Sequence, residues 1–288
     1  MPVHIHGGFP LPLTLALVVV ALVYLRGWYQ LRSAFPNVLS MWRLVAFISG
    51  IFSGWIALGS PLAVMDHHLL TGHMAQHLLL MTVAAPLILL GAPAITLLHG
   101  PPQHFLRNIL LRNILRPFGR WPLVHGFGNW FGNWFGNTVT HPVFCWLAAT
   151  AAVIGWHIPA LFELAMQSEA WHVVEQLCFL VAGLLFWWPV VQPWPSLARW
   201  PEWGIPLYLF VATLPCDALS AFLTFCGRVV YPHFLSMHRP FDISALGDQE
   251  CAGALMWVWV TFAYLAPAAV ITIEMLSPQR RSSKVEVA

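Results

Sequence analysis

Charge is what this sequence has least of. Only 8% of its 288 residues are Asp, Glu, Lys or Arg, against roughly a quarter in a soluble domain, which excludes a mainly wet surface. A net charge of +2 gives no basis for a nucleic-acid partner. No CxxC pair is present among Cys145, Cys178, Cys216, Cys226 and Cys251. Most of these lie in apolar runs, where a cysteine acts as a small hydrophobe. Cys226 and Cys251 flank one loop, and spacing leaves their pairing open. HExxH, GxSxG and a phosphate-cradling glycine loop are all absent, so zinc protease, hydrolase and nucleotide chemistry have no motif to stand on. No Lys or Arg precedes the first apolar stretch, which therefore reads as a retained helix, not a cleaved signal peptide.

What is abundant is apolar and aromatic. Hydrophobic residues make up 59% and aromatics 14%, with 16 Trp and 23 Pro. Trp suits the membrane interface, and Pro is tolerated in spanning helices whose freed carbonyls find neighbours. Runs near 20 apolar residues predict an all-α polytopic membrane protein with seven spans. These are Phe9–Leu25, Met41–Leu58, Gly72–Leu90, Val143–Trp156, His172–Val191, Gly204–Cys226 and Ala252–Met275. They form one seven-helix domain over residues 1–276. With the N-terminus outside and the C-terminus inside, eleven of the 13 basic residues fall on the inner side, and only Arg228 and Arg239 fall outside. That is a positive-inside bias.

The long inner loop, residues 91–141, has two parts. Gln103–Phe118 alternates Arg with Leu and Ile and reads as a basic amphipathic segment on the anionic leaflet. The FGNW repeat over residues 127–137 reads as an expanded low-complexity linker. Residues 277–288 read as a disordered inner tail.

Under this orientation ten of the 14 histidines are outside, and polar groups at membrane depth point to function. The densest cluster is Asp66, His67 and His68, followed by His73, Met74, His77 and Met81. On a helix, residues 73, 74, 77 and 81 fall within about 100° of arc, with Met81 roughly 12 Å deeper than His73. Imidazole with thioether suits copper, and thioether favours Cu(I). A single histidine such as His4 or His6 is better read as interfacial. His157 with Glu163, and His172 with Glu175 and Gln176, repeat the pattern at other outer ends. Asp248, Gln249 and Met256 belong to the last helix, and its dipole alone explains an acid at its start. Asp217 lies inside the sixth span, where an unpaired carboxylate is costly. Tyr231, His233, Met237 and His238 lie on an outer loop able to close over the site.

The run from His73 through Met81 to Ala85-Pro86 and Leu90-Gly91-Ala92-Pro93 resembles the CtaG family of cytochrome c oxidase assembly factors, the polytopic kind associated with caa-type oxidases. Trp156-His157-Ile158-Pro159 with Phe162-Glu163, Phe186-Trp187-Trp188-Pro189, and Asp248-Gln249 with Gly253 and Met256-Trp257 are similar to the same family. The resemblance implies a seven-helix, non-enzymatic assembly factor in a bacterial cytoplasmic (inner) membrane. Its partners would be lipid, haem-copper oxidase subunits or a periplasmic copper donor. Copper ligands are then expected at His73, His77, His157, His172, Met74 and Met81. Asp66, His67, His68, Glu163, Glu175, Asp217, Asp248, Gln249 and Met256 take accessory places. Gln176 stands where many relatives carry a second His, and the FGNW repeat is an addition. Two other readings remain open. One is a haem-binding electron-transfer protein using His77 with His172 or His157 as axial ligands. The other is a metal-dependent enzyme built on Asp66, His67, His68 and Asp248.

Overall fold

A computed structural model describes residues 11–36, 39–101, 140–193, 200–237 and 242–277. The basic amphipathic segment, the FGNW repeat, His4, His6, His104, His125, His238 and residues 278–288 lie outside the described residues. All regular structure among the described residues is helical. Six helical stretches are long and apolar enough to cross a membrane, and up to seven if one bent pair counts as a single span. The chain is a multi-pass membrane protein.

The helices are α1 (Leu11–Leu31), α2 (Met41–Gly59), the short α3 (Leu62–Met65) and α4 (Leu70–Leu78). A π-helical stretch (Leu79–Ala84) joins α4 to α5 (Ala85–Leu90), and α6 (Pro93–His99) follows. Beyond residue 139 come α7 (Pro142–Trp156), α8 (Pro159–Gln167), α9 (Glu169–Val191), α10 (Gly204–Phe225) and α11 (Ala245–Leu276). Most sequence-predicted spans coincide with these. The fourth, Val143–Trp156, coincides with α7, which at 15 residues is short for a span, and α8 continues it after a 73° bend. Pro159 explains the break, because a residue before proline is driven out of the α region. Ile158 is extended there (φ −66°, ψ 124°).

Two devices shape the helix that carries the histidine motif. Pro86 has no N–H to give the carbonyl one turn above it, and the turn ahead of it widens into the π stretch. Such insertions frequently mark functional positions. The Met81 carbonyl accepts from Trp187 Nε1 at 3.0 Å, and Thr82 Oγ1 donates to Leu78 O at 2.7 Å. Backbone groups in an apolar surrounding are thereby satisfied. Gly183 on α9 lets the π stretch come close, since a methyl there would meet the Met81 backbone at 2.9 Å. Small residues at such crossings allow close packing without a hydrophobic drive from water.

The main core lies among α4, α5 and α7–α11, and a smaller cluster centres on Tyr24, Trp28, Leu39 and Phe47. Tyr24 stacks on Phe47 and donates to Gly91 O at 2.7 Å. Leu15, Val19 and Leu22 on α1, with Phe262 and Ile273 on α11, stay exposed. This outward apolar surface is what lipid contact requires. The five cysteines are all thiols, so Cys226 and Cys251 form no disulfide.

Candidate functional site

The start of α4 is fixed by a residue 178 positions away. Asp248 on α11 accepts from Leu70 N at 2.6 Å, Thr71 N at 3.1 Å and Thr71 Oγ1 at 2.7 Å. A carboxylate there satisfies amides that a helix N-terminus leaves bare and meets the positive end of its dipole. α11 begins on its own cap, Ser244, whose Oγ accepts from Gly247 N at 2.9 Å. Gln249 ties the following layer: its Oε1 accepts from Val230 N, and its Nε2 donates to Leu223 O and Arg228 O. Glu163 accepts from His233 N at 2.9 Å. These four side chains act mainly on backbone, and they tie together the segments around the histidine-bearing helices.

Beside that cap, the polar groups form two adjoining sets. The deeper set is His73, His77 and Glu175, all buried. His73 Nε2 lies 3.5 Å from Glu175 Oε1, and the two imidazoles sit edge to face at 4.2 Å between centroids. The outer set is Asp66, His67 and His172. Asp66 Oδ2 is 3.3 Å from His172 Nε2, and Oδ1 is 3.5 Å from His67 Nε2. Within each set one donor atom per residue falls within 4.8 Å of the others, near the roughly 4 Å between opposite ligands of one ion. The sets adjoin through His73 and His172, whose rings are 5.9 Å apart. His67 is the exposed member. Partial burial lowers its pKa, opposed by the neighbouring Asp66 and reinforced by His172 and His73. The ring thus stays neutral, and able to ligate, below the usual imidazole range.

The electrostatics of these sets are unbalanced. Both nitrogens of His77, Nδ1 of His73 and Oε2 of Glu175 are buried without a hydrogen-bond partner, and the Asp66 oxygens and Glu175 Oε1 meet only imidazole nitrogens at 3.3–3.5 Å. Native interiors leave few such atoms, and a buried charge that is not fully compensated costs several kcal/mol. A cation bound between the imidazoles and carboxylates removes that cost. The donor set therefore fits a metal ion.

The profile of the cytochrome c oxidase caa3 assembly factors matches residues 22–277. The chain belongs to that family. It is a family of assembly factors, not an enzyme class. Uncharacterized proteins of Mycobacterium bovis and Mycobacterium tuberculosis are each 25% identical over 243 residues, and one of Mycobacterium leprae is 24% identical over 246. Each comparison covers 83% of this chain and 35% of the relative, so the chain spans about a third of the length of these curated relatives. No solved structure matches.

The histidines expected as copper ligands divide three ways in this family member. His73 and His77 join Glu175, while His172 joins Asp66 and His67. His157 turns instead to Met74, with its Nε2 3.3 Å from the sulfur and Nδ1 2.6 Å from Val153 O. Met81 and Met256 line a small cavity with His77 and His157. His68 is half-buried and belongs to neither set, and Asp217 sits half-buried on α10. Gln176 Nε2 approaches His172 Nε2 at 3.0 Å and donates to Gln76 Oε1 at 3.4 Å. An ion in the outer set would draw the His172 nitrogen from this amide.

Sequence reading passed over Gln76, which is fully buried and donates to Ala57 O at 3.0 Å. Its position between the two histidines of the motif was the available signal. Tyr231 was placed on a covering loop, and its hydroxyl does donate to the His157 carbonyl at 3.1 Å. Phe179, stacked on His77 at 3.9 Å, carried no signal beyond hydrophobicity.

Proposed function

We propose that this family member handles copper as cargo during oxidase assembly. The ion is captured by Asp66, His67 and His172 and held by His73, His77 and Glu175. Under the positive-inside orientation, this end of the bundle faces the extracytoplasmic side of a bacterial inner membrane. Copper would arrive there from a periplasmic donor and leave to haem-copper oxidase subunits. The observation that carries the reading is the buried group of His73, His77 and Glu175, in which both His77 nitrogens and Glu175 Oε2 have no partner. Imidazole suits copper among the first-row metals, and the thioethers nearby favour it further. The exposed edge at His67 leaves a path for exchange, which a carrier needs and a permanent structural site does not.

Haem is the weaker reading because of space. The cavity between His77 and His157 is about 30 Å³, whereas pockets for cofactor-sized ligands run to about 300–1,000 Å³.

The test is made in cells lacking the chain and supplied with either wild type or the His73→Ala/His77→Ala variant. With equal membrane levels of both, the variant is expected to yield oxidase deficient in copper and activity. Oxidase of normal copper content in the variant cells would overturn the proposal.

A further inference from the structure

Deeper than the two carboxylate-bearing sets lies a cavity of different chemistry. Its volume is about 30 Å³, enough for one ion or water. Its wall includes three thioethers (Met74, Met81, Met256), the Cys216 thiol, and the His77 and His157 imidazoles; no carboxylate lines it. All six side chains are buried. They come from α4, the π stretch, α7's end, α10 and α11, so the sulfurs converge from separate helices and are not one helix's ordinary methionine stripe.

His157 supplies the second observation. Its Nδ1 lies 2.6 Å from the Val153 carbonyl, which can only accept, so Nδ1 carries the proton. In the neutral ring Nε2 then presents a lone pair, and it presents it to the Met74 sulfur 3.3 Å away. Thioether sulfur has no hydrogen to give. Two lone-pair donors therefore face each other across a gap with nothing to share. Metal bonds of roughly 2.0 Å to nitrogen and 2.3 Å to sulfur give this spacing when the ion subtends a near-tetrahedral angle. Fixing a ligating imidazole through its other nitrogen is also how metal sites set ring orientation.

We propose that this cavity is a second ion site, selective for a soft monovalent ion such as Cu(I). Met74, Met81, Met256 and Cys216 supply the sulfur, and His157 supplies a nitrogen. Soft sulfur donors select Cu(I) over harder divalent ions, and the missing carboxylate leaves a divalent charge without compensation. His77 borders both regions, with both ring nitrogens unpartnered. It is the shared residue through which an ion passes between the nitrogen-and-oxygen set and the sulfur cavity. This passage rests on the metal reading of His73, His77 and Glu175, whereas the cavity stands on its own lining.

The test uses the purified full chain with Ag(I) as the soft probe and Zn(II) as the harder, divalent one. Ag(I) is expected to bind wild type at one per chain in this cavity, with sulfur in its coordination shell by X-ray absorption. The Met81→Leu/Met256→Leu variant, which keeps the core volume, is expected to weaken Ag(I) binding at least tenfold and leave Zn(II) unchanged. Glu175→Gln is expected to do the reverse. Ag(I) without sulfur neighbours in the wild type would overturn the cavity site whether or not the variants fold. So would Ag(I) affinity unmoved in a folded methionine variant. Zn(II) affinity unmoved by Glu175→Gln would instead overturn the metal reading of the carboxylate set and leave the cavity standing.

Discussion

Asp66 shows how a single residue's place depends on what other helices bring to it. Beside His67 and His68 in sequence it looks like an orienting acid, but it faces His172 across the bundle at 3.3 Å. Asp66→Asn keeps the size and removes the charge. Metal affinity of the purified protein is expected to fall at least roughly tenfold to hundredfold, because the outer set loses an anionic donor that also orients His172. Equilibrium competition with a chelator measures it. The His73–His77 pair was legible because helical spacing puts i and i+4 on one face. The link to Glu175 was not, because an acid on another helix gains meaning only from packing. His157 and Met74 were each legible as candidate ligands, but their pairing at 3.3 Å was not, since two helices distant in sequence bring them together.

Elements position these residues through two contacts. The first is the cap of α4 by Asp248. Asp248→Ala removes three hydrogen bonds to a carboxylate and bares the amides of Leu70 and Thr71. A lost N-cap costs about 0.5–2 kcal/mol, and charged hydrogen bonds add to that. A lower unfolding temperature in detergent is expected, along with weaker metal binding, because His73 lies just beyond the cap. The second is the glycine crossing of α9 with the π stretch. Gly183→Leu places a side chain against the Met81 backbone, where even a methyl would clash. Overpacking of this kind costs about 1–3 kcal/mol, so reduced thermal stability is expected, measured by the same unfolding assay. Most helices were legible from apolar length alone. The bend at His157 has a readable cause in Pro159, yet its 73° angle follows from packing.

At the scale of the whole molecule, a lipid-facing apolar shell surrounds one polar end. Low charge and long apolar runs made the shell legible. The family resemblance was legible in the histidine motif and its downstream glycine and prolines, and the profile match over residues 22–277 extends it across nearly the whole chain. How the polar residues divide was hidden, because α4, α9 and α11 are far apart in sequence and meet only when folded. Reagent labelling of a cysteine placed at His67, from either side of sealed membranes, tests the proposed orientation, with reaction from the extracytoplasmic side expected.

The central claim is that buried donors on α4 and α9 hold copper. Metal analysis with an optical spectrum of the purified protein, wild type beside His73→Ala/His77→Ala, tests it most directly. Copper bound to the wild type, lost from a folded double variant, and no Soret band is the expected result. Unchanged copper in the variant, or a Soret band in the wild type, would contradict it.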